Sequence, residues 1–538
     1  MLRWHRDGAW HGMNWGEFAR QTASLARNLR AAGVSAGDRV LIAAENRPEY
    51  PIAETALLAI RAVPVPAYVT NTVDDHAHVL RDCGARAAIV STTALAERVA
   101  AAGPLDLLVT MERAPVAGVR QLHFADLTTD TASPDDIAAE AALIPGGALA
   151  CLIYTSGTGG APKGVMLPHR AVLSNCRGAF KLLQILWRQE GGEPHETYLS
   201  YLPLSHSFEH TAGQFFMLST GAEVVYSRGV EHLAADILAI RPTIMTMVPR
   251  VLEVIRGRIL AQLAREKPWK QKLFARALAV GTRRATGARL SLLDRLLDPL
   301  LERVVRRKVR ARFGGRLRAA ISGGARLEPD IGLFYLALGI RLLQGYGQTE
   351  AGPVISANPP DAIRIETVGP PLEGVALRIA EDGEILVQGD LVMDGYWGQP
   401  DETAAVLHDG WLHTGDIGVL DPDGYLRITD RKKDMIVLSG GENVSPARIE
   451  GMLVAEPPIA QAVVIGEGQA GLAALVVAAE GCDELAVAAA VSAVNARLAV
   501  TERIRRHKLV PPFTIENGHL TATQKVRRHL VVRAHGHP

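Results

Sequence analysis

The sequence predicts an α/β protein, with a large N-terminal domain of parallel-rich sheets sandwiched by helices, a small β subdomain, and a small α+β C-terminal domain. Three observations carry this prediction. Between residues 15 and 90, and again between 223 and 344, short apolar runs alternate with segments of helical periodicity, the pattern of βαβ units. Past residue 370 short apolar runs are joined by Asp-Gly turns, as in antiparallel hairpins. A chain of 538 residues is also too long for one hydrophobic core.

Taken in order, Trp15 to Ala32 carries Phe18, Ala23, Leu25 and Leu29 at helical spacing and stops at Gly33. Val40 to Ala44 is a strand, Pro51 to Ala62 a helix, and Val63 to Val69 an apolar run. Asp74 to Asp82 is a helix ended by Gly84, and Ala87 to Val90 a strand. The polar stretch Thr128 to Pro145 is expected to be a connection, and Ala148 to Ile153 a buried strand. Alternation resumes with strand Glu223 to Tyr226, helix His232 to Ile240, strand Thr243 to Met247 and a helix from Arg250. Residues 256–312 are helix-prone and basic, and strands follow at Leu317 to Ile321 and Ile340 to Gln344. Asp382-Gly383 marks one hairpin and Asp421-Pro422-Asp423-Gly424 a second turn. The charge cluster Asp430-Arg431-Lys432-Lys433-Asp434 divides domain 1–429 from domain 430–538.

Composition excludes several classes. A formal net charge of +1 gives no general attraction to nucleic acid. The four cysteines, Cys83, Cys151, Cys176 and Cys482, form no CxxC pair and fit reduced thiols of a cytoplasmic protein. The N-terminus has no apolar signal region, and no run reaches the roughly 20 apolar residues of a membrane span. Arg303, Arg306, Arg307, Lys308, Arg310 and Arg312 are read first as solvated helix faces, with peripheral contact to a membrane surface as the lesser alternative. Composition sets no oligomeric state.

The stretch Tyr154-Thr155-Ser156-Gly157-Thr158-Gly159-Gly160-Ala161-Pro162-Lys163-Gly164 follows the buried strand and collects aliphatic hydroxyls, glycines and one lysine. That mixture turns backbone N–H groups and a cation toward one anion and suits nucleotide phosphates. It is not a Walker A loop, because Pro162 and Gly164 flank the lysine. By itself the stretch is equally an ordinary polar turn. In Leu202-Pro203-Leu204-Ser205-His206-Ser207-Phe208-Glu209-His210 the two histidines lie four apart, but Pro203 and the lack of a third ligand favour a core or gating histidine over a metal site. Ser322-Gly323-Gly324-Ala325 and Gln344-Gly345-Tyr346-Gly347-Gln348-Thr349-Glu350 each end a strand, so both point at one crevice. An exposed Tyr346 there could stack on a base and Glu350 could hold a metal ion, or each stretch is equally a structural turn with a capping acid. Asp416, in Gly410-Trp411-Leu412-His413-Thr414-Gly415-Asp416, is placed to accept from ribose hydroxyls or to cap a turn.

Together and in this order, YTSGTGGAPKGV, GYGQTE, GWLHTGD, DRKKDMI and the tail Leu520 to Arg528 resemble the adenylate-forming superfamily, from about residue 15 to 533. The stretches LPLSHSFEH and DRKKDMIVLSGGENVSPARIE, with the helical insert 256–312, resemble its long-chain fatty-acid–CoA ligase branch most. The resemblance implies ATP-dependent conversion of a fatty acid to acyl-AMP, then thioesterification to coenzyme A with release of AMP and pyrophosphate. Acceptance by a carrier-protein thiol, activation of a non-fatty carboxylic acid, and a silent binding protein are the alternatives. Carried onto this chain, it implies that Thr155, Ser156, Gly157, Thr158, Gly159, Gly160 and Lys163 hold the phosphates, and that Thr155 and Glu350 place Mg²⁺. Gly323, Gly324 and Ala325, with Gln344, Gly345, Tyr346, Gly347 and Thr349, would line adenine and the α-phosphate. Asp416 and Arg431 would bind the ribose, and His206 would separate the nucleotide from the acyl tunnel. Lys525 would bridge the acyl carboxylate and α-phosphate, delivered by a mobile C-terminal domain pivoting at 430–434 on Lys433. The chain departs from many relatives at Gly159, where they have Thr, at Val437, where they have Lys, and at Thr521-Ala522-Thr523, where they have Thr-Pro-Thr.

Overall fold

The computed structural model describes residues 1–129, 132–155, 161–188, 196–432, 435–439, 442–520 and 526–536. Two parallel sheets form the N-terminal body. The smaller has strand order Val63–Pro66, Arg39–Ala43, Ala87–Val90, Leu107–Thr110, Gln121–His123, all parallel. The larger runs Val354–Ala357, Leu342–Gly347, Ala319–Ser322, Ile244–Met247, Thr197–Ser200, Glu223–Tyr226, Leu2–Arg6, Ala9–Met13. Its inner strands are parallel, and each edge is closed by one antiparallel strand. The central strands are short apolar runs buried on both faces, as parallel strands under crossover helices must be.

The helices start and stop where side chains dictate. Asn14 caps helix Trp15–Ala31, Thr72 and Asp75 form a capping box on Val73–Cys83, and Gly84 ends that helix at φ 67°. One expectation fails: residues 128–145 are not only a connection. Ser133 caps a helix, Pro134–Ala141, with Pro134 in its first turn and Asp135 and Asp136 favouring its N-terminus. The polar composition that suggested a loop is that of an exposed helix without a buried residue.

The β subdomain is antiparallel: Ala376–Ile379, Glu384–Gln388, Trp411–Leu420 and Leu407–His408, with Leu426–Arg431 also on Trp411–Leu420. The C-terminal region has its own sheet, Ile459–Ile465, Leu472–Ala478 and Ile504–Leu509, covered by helices Pro446–Val454, Glu484–Asn495 and Arg528–His535. Asp430 and Arg431 belong to the β subdomain, paired with Ile417 and Asp416. Lys432 is tied there as well, its ammonium 2.6 Å from Asp382 and 3.0 Å from Glu384, which holds its pKa up.

Two buried acids lie beneath the large sheet's carboxyl ends. Glu209 opens a π-helical turn, Glu209–Phe215, and accepts from the hydroxyls of Ser200 (2.6 Å), Tyr198 (2.7 Å) and Thr246 (2.8 Å). Those donors stand on neighbouring parallel strands, so one carboxyl ties both to the turn. Gly213 is required beside it, because a Cβ there would sit 2.4 Å from the carboxyl carbon. His210, the second histidine of the motif, is a core residue, its Nε2 2.7 Å from Glu54. Burial opposes its charge, but Glu54 and Cys151 together raise its pKa to about 10.

Burial raises the Glu209 pKa to about 7 despite the three donors. The folded-state value lies above the ordinary 4.5, so this carboxyl stabilises the fold at low pH and the contribution is lost as pH rises toward 7. Unfolding free energy measured against pH should therefore fall for the wild-type chain relative to Glu209→Gln, by as much as about 3 kcal/mol between pH 4.5 and 7. Parallel curves would show that Glu209 stays ionised.

Candidate active site

The glycine-rich stretch begins and ends in two strands that pair as an antiparallel hairpin. Strands Leu149–Thr155 and Lys163–Pro168 pair with Tyr154 opposite Gly164 and Thr155 opposite Lys163, so no helix N-terminus follows the loop. Ser156, Gly157, Thr158, Gly159 and Gly160 lie outside the described residues. Both feet of the hairpin are fastened to helix Val73–Cys83. Tyr154 donates to Asp82 at 2.5 Å, and His78 Nε2 lies 2.7 Å from the Pro162 carbonyl, which only accepts, so Nε2 carries the proton. Burial first, then Asp82, push the Tyr154 pKa well up, so the hydroxyl keeps its proton.

On the far side of the hairpin, Gly395–Tyr396 adds a third strand, with Tyr396 opposite Val165. Tyr396 serves two groups. Its ring centroid is 5.0 Å from Lys163 Nζ, and its hydroxyl donates to Glu350 Oε1 at 2.9 Å. Lys163 also pairs with Glu402 at 2.5 Å, but Glu402 is half exposed, so this pair is worth about 0–1 kcal/mol and would yield to a phosphate. Glu350 Oε2 has no hydrogen bond among the described residues.

The two strand-end motifs do meet. Ser322 is paired with Gln344 on adjacent parallel strands, so Gly323, Gly324 and Ala325 emerge beside the second motif. That second motif is strand further than expected: Gly345, Tyr346 and Gly347 belong to Leu342–Gly347 and pair antiparallel with Val354–Ala357 through a bulge. Gly347 permits this, since a Cβ there would lie 1.9 Å from the Pro353 carbonyl oxygen. The histidine-bearing segment closes over both motifs. Ser207 shares a 2.9 Å hydrogen bond with Thr349, and Phe208 lies against Gly323, where a Cβ would be 3.0 Å from its ring. His206 Nδ1 accepts from the Phe208 amide at 3.2 Å. Ser322 Oγ, fully buried, has no partner among the described residues.

Tyr346 is not exposed, contrary to the expectation from the sequence. It is 9% exposed, and its hydroxyl donates to Asp416 Oδ2 at 2.6 Å. Burial and then Asp416 raise its pKa well above the usual tyrosine range. Asp416 stands in a strand directly opposite Arg431, whose Nε donates to Oδ1 at 3.0 Å. A carboxylate has about four acceptor sites, and Tyr346 and Arg431 use two, which leaves room for a vicinal diol. Lys433 and Lys525 lie outside the described residues. The cavity of about 590 Å³ between Leu333, Leu336, Ile365 and Leu420 holds none of these residues and is a separate cleft.

His78, Asp82, Tyr396 and Glu402 were not read from the sequence. The Asp82 and His78 contacts span 72 and 84 positions, with no local motif to mark them. Tyr396, in the aromatic pair Tyr396-Trp397 after Gly395, was the one with a visible signal.

Residues 2–397 match the family model described as AMP-binding enzyme, and 433–535 match the AMP-binding enzyme C-terminal domain. The chain belongs to the AMP-binding enzyme family. Among relatives of this AMP-binding enzyme is the long-chain-fatty-acid–CoA ligase FadD15 of Mycobacterium bovis, 34% identical over 474 residues, 87% of this chain and 78% of that protein. The long-chain-fatty-acid–CoA ligase heimdall of Drosophila melanogaster is 32% identical over 521 residues, covering 90% and 74%. The O-succinylbenzoate coenzyme A synthetase of Bacillus subtilis, solved with ATP and a magnesium ion, shares the fold at TM-score 0.71 and 21% identity over 98% of this chain and 95% of that one. ATP-bound MatB of Rhodopseudomonas palustris does so at TM-score 0.71 and 23% identity, covering 99% and 95%.

Removing one donor from a buried carboxylate leaves it unsatisfied. Tyr346→Phe should therefore cost about 1–3 kcal/mol in urea unfolding. A loss under about 0.5 kcal/mol would mean that Asp416 finds another donor at once.

Proposed function

We infer that this AMP-binding enzyme is an AMP-forming acid–thiol ligase that activates a long-chain fatty acid with ATP and transfers the acyl group to coenzyme A. The observation that carries the reading is Tyr396, which gathers a cation, Lys163, and an acid with one open oxygen, Glu350, around one ring. That is the pair of charges a magnesium–triphosphate needs: a donor for phosphate oxygen and a carboxylate for the ion. The relatives' activity and the acceptor capacity that Tyr346 and Arg431 leave on Asp416 agree with it.

The donor set fits Mg²⁺. This ion keeps several waters and takes one or two protein oxygens plus phosphate, and Glu350 with the Thr155 hydroxyl supplies that number. No cluster of three or more His, Cys, Asp or Glu suited to a resident metal is present among the described residues. When bound, the ion neutralises phosphate charge. The chain's own residues position the reactants: Lys163 and the turn from Thr155 hold the departing pyrophosphate, Asp416 and Arg431 the ribose, and Gly323 to Ala325 with Gln344 to Thr349 the adenine side. His206 guards the acyl side, where Phe208 and Ser207 fix its segment to both crevice motifs.

A carboxylate attacking a phosphate brings two anions together, so the barrier is dominated by positioning and charge. Lys525 supplies the missing positive charge for this step. Thiol attack on acyl-AMP needs no such charge, and the domain after Lys432 swings Lys525 away, with Lys433 as its pivot. Four free cysteines and ATP dependence argue for work in the cytoplasm.

Pyrophosphate release measured across short, long-chain and aromatic acids, with and without coenzyme A or a holo-carrier protein, tests the reading. Long-chain acids with coenzyme A should turn over fastest, and no acid-dependent release at all would overturn it. Lys525→Ala should lose about 10²–10³ in adenylation rate yet still convert supplied acyl-AMP to acyl-CoA. Equal loss in both half-reactions would remove the division of labour. Glu350→Ala should raise the Mg²⁺ concentration needed for half-maximal turnover, and an unchanged requirement would take the metal role from it.

A further inference from the structure

The helix Leu292–Leu301 is amphipathic in the wrong direction for a surface in water. Leu292, Leu293, Leu296 and Leu300 are 78%, 58%, 79% and 51% exposed. Their spacing of one, four and eight residues puts them on one helix face. The opposite face carries the acids, and it is turned inward. Asp294 is fully buried, 2.8 Å from Arg283 and 2.5 Å from Arg276, and Asp298 pairs with Arg284 at 3.0 Å and with the buried Arg306 at 2.6 Å. Ser291 caps the helix and donates to Asp294 at 2.8 Å, so this orientation is fixed at the first turn. A surface helix ordinarily buries its leucines and hydrates its acids. Here Leu297 and Leu301 do pack inward, but the ion pairs of Asp294 and Asp298 share that face and leave the other four leucines outside.

The surroundings of the leucines are cationic. Arg289 and Arg295 at one end and Arg303, Arg307 and Lys308 at the other are exposed and make no ion pair among the described residues. We propose that this face docks on an anionic phospholipid bilayer, with the four leucines entering the acyl boundary and the arginines and lysine lying among the phosphates. The charge chooses the occupant. A second copy of the chain across a two-fold axis would set one cationic rim against another, whereas an anionic headgroup layer complements the rim while the leucines are covered. Among the described residues no helix is long and apolar enough to span a membrane, so the contact is peripheral.

The proposal is independent of the ligase reading, because it is read without turnover. The full chain is floated with vesicles of phosphatidylcholine alone or with 30 mol%, roughly, of phosphatidylglycerol added. Binding to the anionic vesicles, falling steeply as salt is raised, is expected. Replacing all four leucines with Gln should abolish flotation while leaving the melting temperature unchanged, since none is a core residue. Arg303→Gln with Arg307→Gln should lower partitioning by about fivefold for each charge, the factor that about 1 kcal/mol sets at 25 °C. Failure of the wild-type chain to float with anionic vesicles would overturn the proposal. So would salt-insensitive binding to both vesicle types, or a wild-type dimer that the leucine substitutions convert to monomer without any lipid binding.

Discussion

Asp416 is the group on which the geometry of the crevice depends. It is buried, and its two oxygens are claimed from different sheets: Tyr346 comes from the large parallel sheet and Arg431 from the antiparallel subdomain to which Asp416 itself belongs. A buried carboxylate that lost either donor would be strongly disfavoured, so the pair fixes the angle at which one sheet meets the other. The depth of Tyr346 follows from that requirement.

A second layer of polar constraint supports the first from below. Glu209 binds hydroxyls from two parallel strands and forces a widened turn with glycine at its inner side, while Glu54 holds both His210 and Gln214. π-helical turns of this kind tend to accompany functional positions, and here the turn begins two residues after Ser207, the residue joined to Thr349. The histidine motif thus has two halves. Its first half faces the crevice and its second half is anchored in the core.

Much of this was legible in the sequence because the physics is local. Periodicity identified most of the parallel strands and their helices to within a few residues, and the strand-end position of Gly323 followed from alternation alone. The Asp382-Gly383 hairpin was equally clear. What failed was tertiary. Whether residues 345–347 are loop or strand depends on a partner, Val354–Ala357, that periodicity does not mark, and Pro134–Ala141 looked like a loop because only Ile137 of it packs against the core. The exposure of Tyr346 depended on Asp416, 70 residues away. The contacts of His78, Asp82 and Tyr396 belong to the same class. The leucines of the 292–301 helix show the opposite error, since its periodicity is plain but which face points outward is decided by arginines on other helices.

Tyr396 has a consequence for how this site can vary. Lys163 lies on the hairpin and Glu350 beyond the large sheet, 187 positions apart in sequence, yet one side chain touches both. Substituting any of the three alters the setting of the other two, so their energetic effects will not add. In sequence evolution the three positions should therefore change together or not at all.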